Sequence, residues 1–168
     1  ALQLLEPRPM GAEIELAPGI TARSLRAGHL LGAASIEVRG KGGDGQSRRW
    51  LFSGDVGRYG VPVLRDPASP EDAPDALLLE STYGDRRHAP GDAGEAIAAA
   101  IERTFARGGS VIIPAFALGR TQEVLYHLAE LVRAGRLDSR NVFLDSPMAI
   151  RATEIYERFH GEHDRELE

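Results

Sequence analysis

The stretch Ala76-Leu77-Leu78-Leu79-Glu80-Ser81-Thr82-Tyr83-Gly84 stands at the middle of the 168-residue chain and separates two patterns. Its first four residues form a continuous apolar run, which suits a strand buried on both faces. Val111-Ile112-Ile113 and Val142-Phe143-Leu144 are two more such runs. Between and after them, apolar residues recur at helical spacing: Ile97, Ile101 and Phe105, then Val124, Leu128, Leu131 and Val132, then Met148, Ile155 and Phe159. Gly108-Gly109 stops the first stripe. Strand alternating with helix predicts an α/β fold with a three-strand parallel unit and helices near 92–107, 120–134 and 147–160.

Upstream, the period is shorter. Ile14–Leu16, Ile20–Leu25, Ser35–Arg39 and Arg48–Phe52 are brief apolar or alternating runs broken by Gly and Pro, with a Gly-rich turn at Gly40–Gly45. They predict an antiparallel-rich sheet with hairpin turns, reaching to about Glu80. Val61–Pro74 is a loop with four prolines. The composition shifts near Ala89–Asp92, so the domain boundary is placed between residues 88 and 89.

Composition narrows the chemistry. With 42% hydrophobic and 27% charged residues the chain is an ordinary globular sequence, long enough to bury a core. No apolar run approaches the ~20 residues of a membrane helix, and the first ten residues do not read as a signal peptide. There is no cysteine, so any metal must be held by His, Asp or Glu, and a cytoplasmic location is expected. The net charge of −5 gives no global signal for nucleic acid, but 19 of the 20 basic residues are Arg, whose planar fork suits phosphate.

In α/β sheets ligands gather beyond the carboxyl ends of strands. Ser53-Gly54-Asp55, Glu80-Ser81-Thr82, Pro114 through Arg120, and Asp145-Ser146-Pro147 each follow an apolar run, and Gly28-His29-Leu30-Leu31-Gly32 precedes another. Singly they have plain readings. His29 can be structural, and Asp55 can close an Asx turn. Ser146-Pro147 is a good helix start. His127 falls within a helix, and His160 and His163 suit a helix C-terminus. Arg120 can pair with Glu123, or meet a phosphate where a helix begins.

In order, the motifs are specific. Ala27-Gly28-His29-Leu30-Leu31-Gly32-Ala33-Ala34, Phe52-Ser53-Gly54-Asp55-Val56-Gly57 and Glu80-Ser81-Thr82-Tyr83-Gly84 resemble the metallo-β-lactamase superfamily, in particular its β-CASP branch of RNA- and DNA-processing nucleases. Pro114 through Glu123 and Leu144 through Ala149 resemble the β-CASP insert.

The resemblance implies an αββα-sandwich part over residues 1–88 and the first part of a parallel-sheet β-CASP domain over 89–168. His29 resembles a metal ligand, Asp55 the carboxylate that bridges two zinc ions, and Glu80 an acidic residue supporting a catalytic His. Arg120 is the candidate phosphate contact. The expected activity is cleavage of RNA, or DNA, by metal-activated water, with homodimerisation possible and no membrane partner. The family's His-x-His-x-Asp-His motif and its later β-CASP His motifs are absent, so an internal piece of a longer enzyme is expected, inactive alone and metal-poor. His88 is given no role. Two other readings stand beside this one: a non-catalytic β-CASP scaffold, and a small-molecule metallohydrolase.

Overall fold

Five strands open the chain in the computed structural model, which describes residues 2–87 and 91–163. They are β1 (Glu13–Ala17), β2 (Ile20–Arg26), β3 (Ala34–Lys41), β4 (Ser47–Phe52) and β5 (Ala76–Leu78), and they lie in the sheet in that order. The first three pairings are antiparallel, and β5 joins β4 in parallel. The chain divides into two units, Ala1–Gly84 and Asp85–Glu168. The boundary expected at 88/89, and His88 itself, lie outside the described residues.

Register sorts the side chains of the first sheet. Arg23 lies opposite Glu37, and Arg39 opposite Arg49, so one face carries charge. Ala22 pairs with Val38, Val38 with Trp50, and Ile36 with Phe52 on the other, apolar face. Two arginines directly opposed destabilise a sheet. Glu37, only 1% exposed, offsets them: its carboxylate lies 2.7 Å from Arg39, 3.5 Å from Arg23 and 3.8 Å from Arg49. A buried carboxylate is tolerable only when surrounded in this way.

The second unit holds α1 (Ala93–Phe105), α2 (Arg120–Arg133) and α3 (Pro147–Arg158), at the positions the apolar stripes predict. The Asp92 side chain accepts the Glu95 N–H at the start of α1. Ser146 accepts the Ala149 N–H, with Pro147 in the first turn of α3. Ala98, Ile101, Leu131 and Leu137 form the buried core between α1 and α2. Gln122 ties α2 to α3 through the Thr153 hydroxyl at 3.0 Å.

Three strand expectations are corrected. Ala76–Leu79 is not the first of three parallel strands buried on both faces; Ala76–Leu78 forms an edge strand on β4, and Leu77, Leu78 and Leu79 are exposed. Val111–Ile113 and Val142–Leu144 carry no strand pairing among the described residues. Val142 is locally extended, and Val111 and Val142 pack against the helical core while Ile112 and Phe143 face outward. Apolar runs favour extended backbone and burial, but only a neighbouring strand completes the ladder. With Ile101 and Leu128, these segments line an open cavity of about 580 Å³. No helix among the described residues is long and apolar enough to cross a membrane.

Candidate functional site

Strand direction gathers three of the four candidate residues. β2 and β4 are each antiparallel to β3, and β5 is parallel to β4, so β2, β4 and β5 run the same way. Their carboxyl ends open at one end of the sheet, and His29, Asp55 and Glu80 follow those ends by three, three and two positions.

Hydrogen bonds pin the three loops together. The His29 turn closes through Ala27 N–H to the Ala33 carbonyl and Ala33 N–H to the Leu30 carbonyl, both 2.9 Å. The Asp55 loop meets it through Gly57 N–H to the Ala27 carbonyl at 2.8 Å. This approach needs a residue without a side chain. A Cβ at Gly57 would lie 2.8 Å from the His29 nitrogen and would overlap the Gly28 carbonyl outright. His29 and Asp55 are both exposed.

Ser53 joins the Asp55 loop to Glu80. It is buried, its N–H donates to the Leu78 carbonyl, and its Oγ accepts the Glu80 N–H at 2.9 Å. The Ser35 hydroxyl in turn donates to the Ser53 carbonyl at 2.7 Å. Sequence reasoning missed Ser53, Ser35 and Gly57 as site-building residues. Their signal was only their place: Ser53 and Gly57 within Phe52-Ser53-Gly54-Asp55-Val56-Gly57, and Ser35 directly after Ala27 through Ala34.

The Glu80 carboxylate is well furnished with hydrogen bonds. The Thr82 N–H reaches it at 2.8 Å. Its pKa is held below the ordinary glutamate value chiefly by the Thr82 N–H and hydroxyl; desolvation opposes them, and the Val56 N–H and the His29 charge add lesser lowering effects. Hydrogen bonds to the charged form keep it charged. The Glu80 N–H on Ser53 Oγ ties this loop to the Asp55 loop, which in turn bonds the His29 turn through Gly57.

His29 and Asp55 offer an imidazole and a carboxylate, a donor set that suits zinc. Two donors are fewer than the three or four protein ligands with which a zinc site is built. Among the described residues no group of three His, Asp or Glu side chains could hold a metal ion.

Arg120 belongs to the second unit. It is the first residue of α2, is exposed, and lies 3.0 Å from Glu123. An exposed pair of this kind is worth ~0–1 kcal/mol and leaves the guanidinium exchangeable. The backbone contribution foreseen for an anion is reduced: the Arg120 and Thr121 N–H groups already donate to the Leu118 and Phe116 carbonyls. His127 meets Tyr126 edge-on, and His160 stacks edge-on against His163, whose Nε2 lies 2.7 Å from the Tyr156 carbonyl.

Known proteins are similar to this chain over most of its length. Residues 121–168 match the Beta-Casp domain model. A ribonuclease of Thermus thermophilus is 41% identical over 134 residues, covering 79% of this chain and 29% of the relative. An RNase J-like protein of Methanocaldococcus jannaschii is 36% identical over 150 residues, covering 86% and 34%. Cleavage and polyadenylation specificity factor subunit 3-I of Arabidopsis thaliana is 37% identical over 144 residues, covering 84% and 20%. The chain thus spans about a third or less of the length of these relatives. With the ordered His29, Asp55 and Glu80 motifs, the family match and these relatives together, the chain belongs to the β-CASP branch of the metallo-β-lactamase superfamily.

Proposed function

We propose that this chain contributes part of the active centre of a zinc-dependent phosphodiesterase that cleaves RNA. The observation that carries the reading is the convergence of the β2, β4 and β5 ends, which sets His29, Asp55 and Glu80 on three hydrogen-bonded loops. The names of the relatives, a ribonuclease and an RNase J-like protein among them, support RNA as the substrate.

In this reading His29 and Asp55 hold metal, and residues beyond these 168 supply the remaining ligands. Two zinc ions bound there would supply activated water and positive charge for a phosphodiester. The chain's own residues orient and hold charge. Glu80, kept ionised by the Thr82 and Val56 donors, accepts an imidazole N–H and fixes that ring's tautomer. Glu80 is therefore a positioning residue. Arg120 exchanges its exposed Glu123 pair for a phosphate oxygen, a charge-assisted bond worth ~1.5–3 kcal/mol.

The test uses the full-length protein with zinc and labelled RNA and DNA strands. Asp55→Ala should abolish cleavage with RNA binding retained, and Glu80→Gln should lower turnover more than affinity. Preference for DNA would move the substrate class. A wild-type protein that binds RNA, takes up zinc and cleaves nothing would establish the scaffold reading instead.

A further inference from the structure

We propose that the proline-rich loop 60–75 is a clamp that positions the His29 turn, with Pro67 as the residue that presses on it. This extends the proposed metal site and rests on it for the catalytic consequence, though not for the mechanical one.

The contacts run in a chain from the sheet to His29. Gly28 has φ +67°, and a Cβ there would meet the Pro67 ring and backbone nitrogen at 3.0 Å and the Arg65 carbonyl at 3.1 Å. The next residue of the loop, Ala68, donates its N–H to the Arg26 carbonyl at the end of β2, at 2.8 Å. On the other side, Gly57 donates its N–H to the Ala27 carbonyl at 2.8 Å and leaves no room for a Cβ beside the Gly28 carbonyl. The backbone that carries His29 is therefore gripped between the Asp55 loop and Pro67.

The loop itself is anchored. Val63 and Leu64 are buried, and Val63 holds φ +87°, a left-handed backbone unusual for a β-branched residue. Such a conformation persists only where its surroundings over-determine it. Further along, Glu71 lies 3.2 Å from Arg23 and Asp72 lies 3.1 Å from Arg49. The Asp75 carboxylate accepts the Arg49 N–H at 2.7 Å, and the Asp75 N–H donates back to the Arg49 carbonyl.

Exposed ion pairs are usually weak because both long side chains must be ordered to meet. Here the arginines are largely buried, so less side-chain freedom remains to be lost. The buried Glu37 carboxylate lies within ion-pair distance of both, 3.5 Å from Arg23 and 3.8 Å from Arg49, and each arginine side chain is only about a fifth exposed. Glu71 and Asp72 dock onto a prepared pair of guanidinium groups. A segment that merely joined β4 to β5 would need neither the ion pairs nor the contact with Gly28.

The experiment compares wild type, E71Q/D72N, P67A and the charge-preserving E71D/D72E in the full-length protein. The first readout is amide hydrogen exchange at Gly57 and Ala68, whose N–H groups bridge to the His29 turn and to β2. E71Q/D72N and P67A should exchange there severalfold faster, with β3 amides unchanged, and E71D/D72E should stay near wild type. Zinc affinity by chelator competition and kcat should fall in the same two variants, with RNA KM unchanged and excess zinc restoring kcat. Unchanged exchange at Gly57 and Ala68, or exchange accelerated equally across the sheet, would overturn the clamp. A wild-type protein without zinc binding or cleavage would defeat the proposed function, while the exchange comparison would still decide the clamp.

Discussion

Gly57→Ala tests the loop geometry with a single methyl group. Gly57 is not in the left-handed region, so alanine can adopt its backbone and any effect comes from space alone. The added Cβ would stand 2.8 Å from the His29 nitrogen and overlap the Gly28 carbonyl, against a comfortable separation of about 3.5 Å. Neither neighbour is the yielding end of a side chain; both are backbone. The two loops must therefore part by about 1 Å, stretching the 2.8 Å bond from Gly57 N–H to Ala27. Losing that bond costs about 1 kcal/mol, and overpacking a close contact costs about 1–3 kcal/mol. Urea unfolding should register a loss of about 2–4 kcal/mol by that addition. A displacement of this size at a catalytic constellation costs about 100-fold in rate. Single-turnover cleavage by the full-length protein should fall accordingly, with RNA binding little changed. A variant as stable and as fast as wild type would refute the close approach of the two loops.

Other expectations are simpler to measure. Because the Glu80 pKa is lowered in the fold, its bonds stabilise above the unfolded carboxyl value and are lost as pH falls through the lower folded value; carboxyl NMR titration should show the low value, and Thr82→Ala should bring it up. Arg120→Ala should weaken RNA binding and flatten its salt dependence by about one phosphate; an unchanged salt slope would leave Arg120 as the surface partner of Glu123. Ser146→Ala removes the cap that accepts the Ala149 N–H and should cost about 1 kcal/mol in thermal unfolding, without moving zinc affinity.

The hairpins and helices were legible because their signals are local. Alternation marks β1 to β4, and the stripes through Ile97 and Ile101 or Leu128 and Leu131 mark α1 and α2. Pairing was less legible. Three leucines after Ala76 read the same whether a strand sits inside a sheet or on its edge, and the runs at Val111 and Val142 declare apolarity without naming a neighbour. At the site, the family resemblance of three ordered motifs, not any one side chain, singled out His29, Asp55 and Glu80 as candidates. The groups that furnish them are mostly backbone: the Thr82 and Val56 amides around Glu80 and the Ala27 carbonyl under Gly57. Every residue has those groups, so only the folded loops reveal which are used. The four prolines at 61–74 read as a connection, because nothing in their spacing announces the arginines beneath them.

The edge position of β5 carries a further consequence for handling the protein. Leu77 and Leu78 are exposed on a strand that pairs on one side only among the described residues, and Leu79 just after it is exposed too. Exposed apolar edges template aggregation, and charged residues flanking them act as gatekeepers. Asp75 and Glu80 bracket this run, each carboxylate accepting a backbone N–H, from Arg49 and Thr82. Loss of either charge thins the guard on this edge. A neutral Glu80→Gln protein can lose yield and turnover together, so its activity should be normalised to monodisperse material rather than to total protein.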